Sequence, residues 1–309
     1  MNDKKIRGVL CALIGGICWG FSGCCGQYLF TEKSIDSTWL SAIRLIISGI
    51  ILILISLLTQ RENLIGALKT RSELLRILSF GLFGMMMCQL SYMKAIDYTN
   101  AATATVIQYT GPVLVMAVVC ITQRKLPTKA EGLSLVLAIF GTYIIATHLD
   151  PTSLVISPKG LFWCILAALS VVTYTLIPQK ITAKRSAPVV SGIGMLFGGV
   201  ILSLIIRVWS YSVSLDIPAL LCMASIIIIG TVIAFSIYLQ AVSDIGPVKA
   251  SIIASIEPVS SAVISYFWLG SKFEIIDYVG FTLILLTVPL LSVKDKSKIN
   301  DKKEREAQS

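Results

Sequence analysis

Residues 92–113 read YMKAIDYTNAATATVIQYTGPV, and residues 238–259, 146 positions later, read YLQAVSDIGPVKASIIASIEPV. Aligned without a gap, the two stretches are identical at six positions, which include Tyr92 with Tyr238 and Pro112 with Pro258. A weaker match at an offset of 152 residues places Gln27 on Gln179. We therefore predict that the chain is built from two related halves. The competing explanation is that apolar helices share residues by chance.

The composition is that of an integral membrane protein. Of the 309 residues, 55% are hydrophobic and 14% are charged, whereas soluble domains average about 25% charged residues. The mean hydropathy is +0.83. A soluble core of this size cannot hide so much apolar surface from water. The lipid bilayer is therefore predicted to be the protein's main partner, and the length fits one membrane domain.

Ten apolar stretches are long enough to cross a bilayer, which takes roughly 20 residues in a helix. The gaps between them are short and contain turn or polar residues such as Asp150-Pro151. The predicted fold is an all-α membrane protein of ten transmembrane helices, built as a five-plus-five inverted repeat. The predicted spans are residues 8–30, 39–58, 74–93, 101–121, 130–147, 160–178, 188–208, 219–240, 249–268 and 276–293.

The repeat divides the chain into two predicted domains and a tail. Residues 1–147 form the first repeat with spans one to five, and residues 158–293 form the second with spans six to ten. Residues 294–309 are charged and poor in apolar side chains, so we predict a disordered basic cytoplasmic tail. Five spans per half place the two halves in opposite orientations. Inverted repeats are typical of secondary transporters, which bind substrate near the midplane between the halves.

The distribution of Lys and Arg predicts the orientation. Segments on one side of the ten predicted spans carry 20 of these residues and segments on the other side carry five, while Arg44 falls inside span two. Because cytoplasmic loops are enriched in Lys and Arg, both termini are predicted to be cytoplasmic, in a multi-pass protein of the cell membrane. The net charge of +9 is spread over loops and tail, so no nucleic-acid partner is predicted.

Pro112 and Pro258 lie near the middle of predicted spans four and nine. A proline there removes a backbone hydrogen bond and bends the helix. Paired bends at positions related by the repeat would widen a central cavity. The alternative is that both are tolerated membrane prolines without such a role.

Several short motifs resemble the EamA family of the drug/metabolite transporter superfamily. They are Trp19-Gly20, Arg44, Gly-Pro-Val at 111–113, the basic turn Gln-Arg-Lys at 123–125, and Glu257-Pro258. The resemblance covers spans one to ten. It implies an exporter or exchanger of amino acids and other metabolites, with a central cavity reached from alternating sides. It departs at residues 269–271, Leu-Gly-Ser, where the family often has Leu-Gly-Glu. We expect that difference to affect a surface contact.

Glu257 is the carboxylate that lies deepest in a predicted span. A charge at that depth costs about 2.5–3.5 kcal/mol on insertion scales, so it must pair, face a wet cavity or be protonated. It is a candidate proton-coupling site, with protons as the coupling ion, or a candidate site for a substrate amine. The alternative is a hydrogen bond to backbone beside the Pro258 bend. The resemblance implies that this glutamate occurs with differing substrates, which argues against a role in specificity.

Arg44 lies about one and a half turns into predicted span two. Three interpretations are open. It snorkels to the interface, it pairs with a carbonyl or with Glu257, or it binds a substrate carboxylate. The sequence does not place the helices of Arg44 and Glu257 side by side.

Other polar and aromatic side chains within the spans are candidates for a substrate cavity. Gln89 and Tyr92 share a helix face, as do Glu257 and Ser261. Ordinary helix packing is the alternative for each residue. The full set of cavity candidates is Trp19, Ser22, Arg44, Gln89, Tyr92, Gln108, Tyr109, Tyr174, Tyr238, Ser255, Glu257 and Ser261.

Small residues and cysteines have simpler interpretations. Gly16-x-x-x-Gly20 and Gly194-x-x-x-Gly198 predict close helix contacts. The eight cysteines all fall within apolar runs without zinc-site spacing, so no metal and no cofactor are predicted. The single histidine, His148, lies at the outer end of span five, where we expect it to be solvated.

The predicted function is secondary transport of a small-molecule substrate, zwitterionic or neutral, such as an amino acid, by export or exchange. An uptake permease of the same fold is the alternative. The sequence contains no Walker motif for direct ATP drive and no filter motif of a channel. A membrane-embedded enzyme is disfavoured because its best aspartate pair, Asp97 and Asp244, falls at opposite membrane faces. No catalytic residue and no oligomeric state are predicted.

Overall fold

The computed structural model describes residues 3–124, 126–150, 154–178, 181, 184–245, 250, 253–254 and 256–292. Within these residues the regular structure is helical, without a strand. Outside them lie the candidate Ser255, the repeat partner Gln179, Pro151, Lys125 and the tail 294–309.

The first half of the chain contains eight α-helices and one π-helical segment, called π1, among the described residues. They are α1 (Asp3–Thr31), α2 (Ser37–Thr59), α3 (Arg61–Lys69), α4 (Arg71–Ser79), π1 (Phe80–Met86), α5 (Met87–Tyr98), α6 (Ala101–Gln108), α7 (Gly111–Thr122) and α8 (Lys129–Thr147).

The second half contains, among its described residues, six α-helices, a second π-helical segment, π2, and a short 3₁₀ turn at Val208–Ser210. Its helices are α9 (Pro158–Leu176), α10 (Ala187–Ile206), α11 (Ile217–Ala224), π2 (Ser225–Ile233), α12 (Ala234–Ile245), α13 (Ile256–Leu269) and α14 (Ile275–Ser292).

Six stretches of described helix are long and apolar enough to cross a membrane: Lys4–Thr31, Ser37–Thr59, Arg71–Tyr98, Ala101–Thr122, Pro158–Leu176 and Ala187–Ile206. Three shorter helices, Gly132–Thr147, Ile217–Ile233 and Ile275–Leu290, are also apolar. Large apolar side chains face outward, such as Leu58, which is 86% exposed. The chain is therefore an all-α, multi-pass membrane protein. Helix lies within each predicted span, while the ten-span inverted repeat stays a prediction.

Polar residues at the helix starts explain where several helices begin. Asp36 accepts hydrogen bonds from two backbone N–H groups at the start of α2, and Asn100 accepts one at the start of α6. Ser157 and Asp216 do the same for α9 and α11. A side-chain acceptor satisfies N–H groups that have no partner within the helix. The short polar gaps thus end one helix and cap the next.

Glycines let the helices approach one another closely. A Cβ on Gly16 would lie 2.7 Å from the carbonyl oxygen of Ala254, and one on Gly20 would lie 2.8 Å from that of Glu257. A Cβ on Gly198 would lie 2.6 Å from the carbonyl oxygen of Gly81 in π1. The predicted close contacts at both small-residue motifs are confirmed. The first of them presses α1 against the backbone that carries Glu257.

The interruption of the fourth span differs from a simple proline bend. α6 ends at Gln108, α7 begins at Gly111, and Pro112 lies in the first turn of α7. Proline suits that position because its missing N–H would have no partner there. Pro112 therefore opens a new helix and does not bend a continuous one. The bend at Pro258 stays a prediction, because the residue before Ile256, the first residue of α13, lies outside the described part of the chain.

The two π-helical segments lie at positions related by the repeat. Gly84 in π1 and Gly230 in π2 are 146 residues apart, the offset of the two matching stretches. In π2 the Thr231 hydroxyl donates to the carbonyl oxygen of Ile226 at 3.0 Å. Segments of this kind are rare and are often found at functional sites. The apolar patterning of the sequence did not predict either one.

Candidate substrate-binding site

Six polar or aromatic side chains, from five helices and the interruption between α6 and α7, meet between the two halves of the chain, and we call them the central cluster. Hydrogen bonds or electrostatic interactions link each member to Glu257 or to a neighbour of it. The central cluster consists of Arg44, Cys88, Tyr109, Tyr174, Tyr238 and Glu257.

Glu257 is held by a tyrosine from the other half of the chain. The Tyr109 hydroxyl lies 3.0 Å from Glu257 Oε2, to which it donates, and 3.2 Å from the carbonyl oxygen of Ala254. Tyr109 directly follows α6, at the interruption before α7, so the broken helix exposes it to α13. Glu257 itself is half-buried in the first turn of α13. The contact joins residues 148 positions apart.

Arg44 is buried, with 5% of its surface exposed. Its Nε donates to the Thr231 hydroxyl at 3.3 Å, which joins α2 to π2. Among the described residues its Nη1 has no hydrogen-bond partner. A residue this deeply buried does not reach the membrane interface, so the snorkelling interpretation is wrong.

Arg44 and Glu257 are close without forming an ion pair. Their charges interact, and Arg44 also interacts with Tyr92 and Cys88. Within the described part of the chain, no ion pair at 4.0 Å or less joins the two side chains. A cation and an anion therefore face the same interior without neutralising each other by contact.

Aromatic rings border this interior. Tyr174 on α9 is 38% exposed, yet it interacts with Cys88, Tyr238 and Glu257, which all lie on other helices. The ring of Trp19 lies 5.1 Å from that of Tyr238, with an interplanar angle of 53°. Trp19 thus extends the aromatic border along α1.

Two further candidates lie at the edge of the central cluster, and one lies apart from it. The Gln108 amide donates to Cys88 Sγ at 3.7 Å. The Tyr92 hydroxyl is 2.7 Å from the Thr105 hydroxyl and is satisfied there. Gln89 is buried on α5, and no hydrogen bond among the described residues joins it to the central cluster.

Two serine candidates lie in helix contacts. Ser22 is buried and packs against Gly230 of π2. Ser261 is buried, and its carbonyl oxygen accepts from Cys24 Sγ at 3.4 Å. Both serines therefore contribute to the packing of α1 against its neighbours, and no hydrogen bond among the described residues joins either of them to the Glu257 carboxylate.

The comparison with known families decides the identity of the chain. The model of the EamA-like transporter family matches residues 6–147 and, a second time, residues 158–293. The chain belongs to the EamA-like transporter family. It is therefore a membrane transporter, as the motifs around Arg44 and Glu257 predicted.

Relatives and a solved structure agree with this family. The uncharacterized inner membrane transporter YicL of Salmonella typhimurium (strain LT2) is 34% identical over 292 residues, which are 94% of this chain and 97% of YicL. The uncharacterized transporter YetK of Bacillus subtilis (strain 168) is 22% identical over 266 residues, 83% of this chain and 78% of YetK. A solved crystal structure is similar with a TM-score of 0.63 at 15% identity, covering 93% of this chain and 96% of that one. That likeness concerns the fold.

This EamA-like chain contains a second buried polar group that the candidate list missed, and we call it the Gln27 cluster. It consists of Gln27, the backbone N–H of Ala101, Ser265 and Ser271. Gln27 Oε1 accepts from Ala101 N at 2.8 Å and from the Ser265 hydroxyl at 3.0 Å, while its Nε2 donates to Ser271 Oγ at 3.0 Å. The signal in the sequence was a glutamine within an apolar run, at the position that the weaker repeat match paired with Gln179.

Thr231 and Cys88 were also missed, because a threonine and a cysteine are common in apolar helices. The signal for Thr231 was its place beside Gly230, which the repeat offset pairs with Gly84. For Cys88 the sequence carried no signal, since all eight cysteines lie in apolar runs.

Ion pairs join helix ends outside the central cluster. His148 Nε2 lies 2.9 Å from Asp277 Oδ1 and Nδ1 lies 3.5 Å from Glu274 Oε2, so the prediction of a solvated histidine is wrong. Arg7 binds Asp244 through two contacts of 2.8 Å. Lys33 lies 2.5 Å from Asp216, and this hydrogen bond holds the pKa of the Asp216 carboxyl below its usual value.

Proposed function

We propose that this EamA-like protein is a secondary transporter that exports or exchanges small zwitterionic or neutral metabolites, such as amino acids, across the cytoplasmic membrane. The observation that carries the proposal is the Tyr109–Glu257 contact, which holds a carboxylate between the two matched halves of the chain. Arg44 lies nearby without an ion pair to it. A site with one cation, one anion and aromatic walls suits a small molecule that carries both charges.

The proposed mechanism is alternating access between two inverted halves, residues 1–147 and 158–293, each with five spans. Three observations support it. The family model matches both halves separately. π1 and π2 lie at related positions. Helix α1 of the first half packs on α12 and α13 of the second half, and α9 of the second half packs on α5, α6 and α7 of the first half. The two sets of contacts correspond to each other under the predicted repeat. Rocking of one half against the other exposes a midplane site to each side in turn.

The proposed orientation has both termini in the cytoplasm, because the Lys and Arg residues concentrate in the segments on that side. The proposed energy source is a proton gradient acting through Glu257. A carboxylate within a membrane-embedded site is charged or neutral according to its surroundings. Its protonation can therefore differ between the two access states.

Counterflow in proteoliposomes tests this function. Vesicles loaded with a panel of amino acids receive the same labelled amino acid outside, with and without a pH gradient. The wild type is expected to show saturable counterflow that the gradient stimulates, and Glu257→Gln is expected to keep exchange but lose the stimulation. Glu62→Gln, which changes an exposed glutamate on α3, serves as the matched control and should behave as the wild type.

Two results would contradict parts of the proposal. Gradient stimulation that survives in Glu257→Gln would place proton coupling elsewhere. If the wild type moves no member of the panel, the proposed substrate class is wrong.

A further inference from the structure

We propose that Arg44 binds the carboxylate of the transported metabolite, so that a carboxylate is required for transport. This rests on the proposed transport function and narrows its substrate class. Amino acids and related carboxylated zwitterions would be carried, whereas the corresponding amines and carboxamides would not.

The unmet hydrogen bonds of Arg44 carry the inference. A guanidinium has five N–H donors in a rigid fork. Nε of Arg44 uses one of them on Thr231, while Nη1 has no partner among the described residues although the side chain is 95% buried. Buried polar groups almost always have a partner, and a charged donor without one costs more than a neutral one. An acceptor brought by a ligand would meet these donors.

Glu257 does not fill that role within the protein. Its Oε2 already accepts from Tyr109, and no ion pair joins it to Arg44. Thr231, the hydrogen-bond partner of Arg44 Nε, donates its own hydroxyl proton to the carbonyl oxygen of Ile226. The guanidinium is therefore held at Nε by π2, whereas Nη1 has no hydrogen-bond partner among the described residues.

The charges of the central cluster select the class of anion. The central cluster contains one cationic side chain, Arg44, and one carboxylate, Glu257. Within the described residues it contains no lysine or histidine. A phosphate dianion would meet a single cation and be repelled by Glu257. A zwitterion places its carboxylate at Arg44 and its ammonium at Glu257. A guanidinium also matches the planar geometry of a carboxylate with two parallel hydrogen bonds.

The location fits a transported ligand. Arg44 belongs to α2 in the first half of the chain, and Thr231 belongs to π2 in the second half. A carboxylate bound at Nη1 would therefore lie where the two halves meet. Tyr174 interacts electrostatically with both Tyr238 and Glu257, so these two tyrosines can offer an apolar surface for the remainder of the molecule.

The test uses sets of three compounds in the counterflow assay: L-phenylalanine with phenethylamine and phenylalaninamide, and L-leucine with isoamylamine and leucinamide. The wild type is expected to exchange an amino acid at least tenfold faster than its amine or amide. Arg44→Gln is expected to lose most of that preference, by about tenfold or more, since a hydrogen bond to a charged group contributes about 1.5–3 kcal/mol. Arg44→Lys, which keeps the charge, should retain part of it.

Arg185→Gln is the matched control. Arg185 pairs with Glu73 at 2.8 Å, outside the central cluster, so this variant should keep the wild-type preference. Thermal unfolding of each purified variant shows whether it is folded. Should Arg44→Gln fail to fold, Arg44→Lys takes its place: a reduced preference for the amino acid supports the role of Arg44, and a preference equal to that of the wild type overturns it.

The outcomes separate the two proposals. Wild-type protein that exchanges the amines or amides as fast as the amino acids overturns the role of Arg44 and leaves the transport function standing. The same holds if folded Arg44→Gln keeps the wild-type preference. If no compound of either set is exchanged by the wild type, the transport of amino acids is contradicted, and the carboxylate role falls with it.

Discussion

Helix α13 carries members of both the Gln27 cluster and the central cluster, Ser265 and Glu257, about two helical turns apart. Ala101 of the Gln27 cluster and Tyr109 of the central cluster, at the start of α6 and directly after its end, are separated by a similar length of helix. The Gln27 amide uses both its oxygen and its nitrogen in hydrogen bonds. Among the described residues, the central cluster leaves Arg44 Nη1 without a hydrogen-bond partner.

The difference separates two uses of buried polar groups in one membrane protein. A fully bonded network fixes the positions of the helices that it joins, and removing a member strands its partners. A network with donors left over is complete only when a ligand supplies the acceptor. Substitutions in the Gln27 cluster should therefore lower stability, and substitutions in the central cluster should change binding.

The largest effect on stability is expected for Gln27→Leu. It strands the N–H of Ala101, and each buried polar group left without a partner costs about 1–3 kcal/mol. The midpoint of thermal unfolding in detergent should fall clearly below that of the wild type. Gln108→Leu is the matched control, because Gln108 loses only its 3.7 Å contact with Cys88. Equal losses in the two variants would remove the distinction between the clusters.

A smaller effect is expected in the reactivity of two native cysteines, one beside each cluster. Cys88 is half-buried in the central cluster, whereas Cys24 is fully buried against Ser261. A small maleimide added to membranes should therefore label Cys88 before Cys24, as measured by mass spectrometry of the peptides. An exchanged amino acid should slow the labelling of Cys88 alone. Faster labelling of Cys24 would show that the region near Gln27 opens more readily.

The smallest effect is expected for an exposed pair, Lys33 and Asp216. The Lys33 hydrogen bond lowers the pKa of the folded-state carboxyl, so the pair stabilises the protein above the unfolded value of about 3.9 and loses this contribution as the pH falls through the folded value. Asp216→Asn keeps a capping side chain for α11. Its unfolding midpoint should lie slightly below the wild-type midpoint at pH 7 and converge with it in acid. If the difference in unfolding midpoint between Asp216→Asn and the wild type is the same from pH 7 into acid, the effect comes from helix capping and not from the pair with Lys33.

Helix positions were predictable from the sequence because the length of an apolar run and the start of a helix are local properties. The capping residues Asp36 and Asp216 stand in the gaps between apolar runs, and the glycine pair at Gly16 and Gly20 marks where a neighbour's backbone approaches. The π segments were not predictable in this way, since their composition is as apolar as that of the adjoining α-helices.

The sequence predicted which residues belong to the central cluster better than it predicted the contacts between them. Arg44 and Glu257 stood out because a charge within an apolar run is costly. Their partners, Thr231 and Tyr109, lie 187 and 148 residues away, so only the packing of the helices brings them together. The same reason explains the error on His148, whose partner Asp277 lies 129 residues away.

A π-helical segment holds one residue more than the α-helical stretch that it replaces, because its hydrogen bonds span five residues and not four. Deletion of one residue from an ordinary α-helix shortens it by about 1.5 Å and turns the residues after it by about 100°. Deletion of one residue from Phe80–Met86 would instead let that segment close as an α-helical stretch of the same span, so Cys88 and the residues after it would keep their orientation relative to α4. In this fold π1 and π2 are therefore places where the chain can lose one residue without turning the helix face that lines the site.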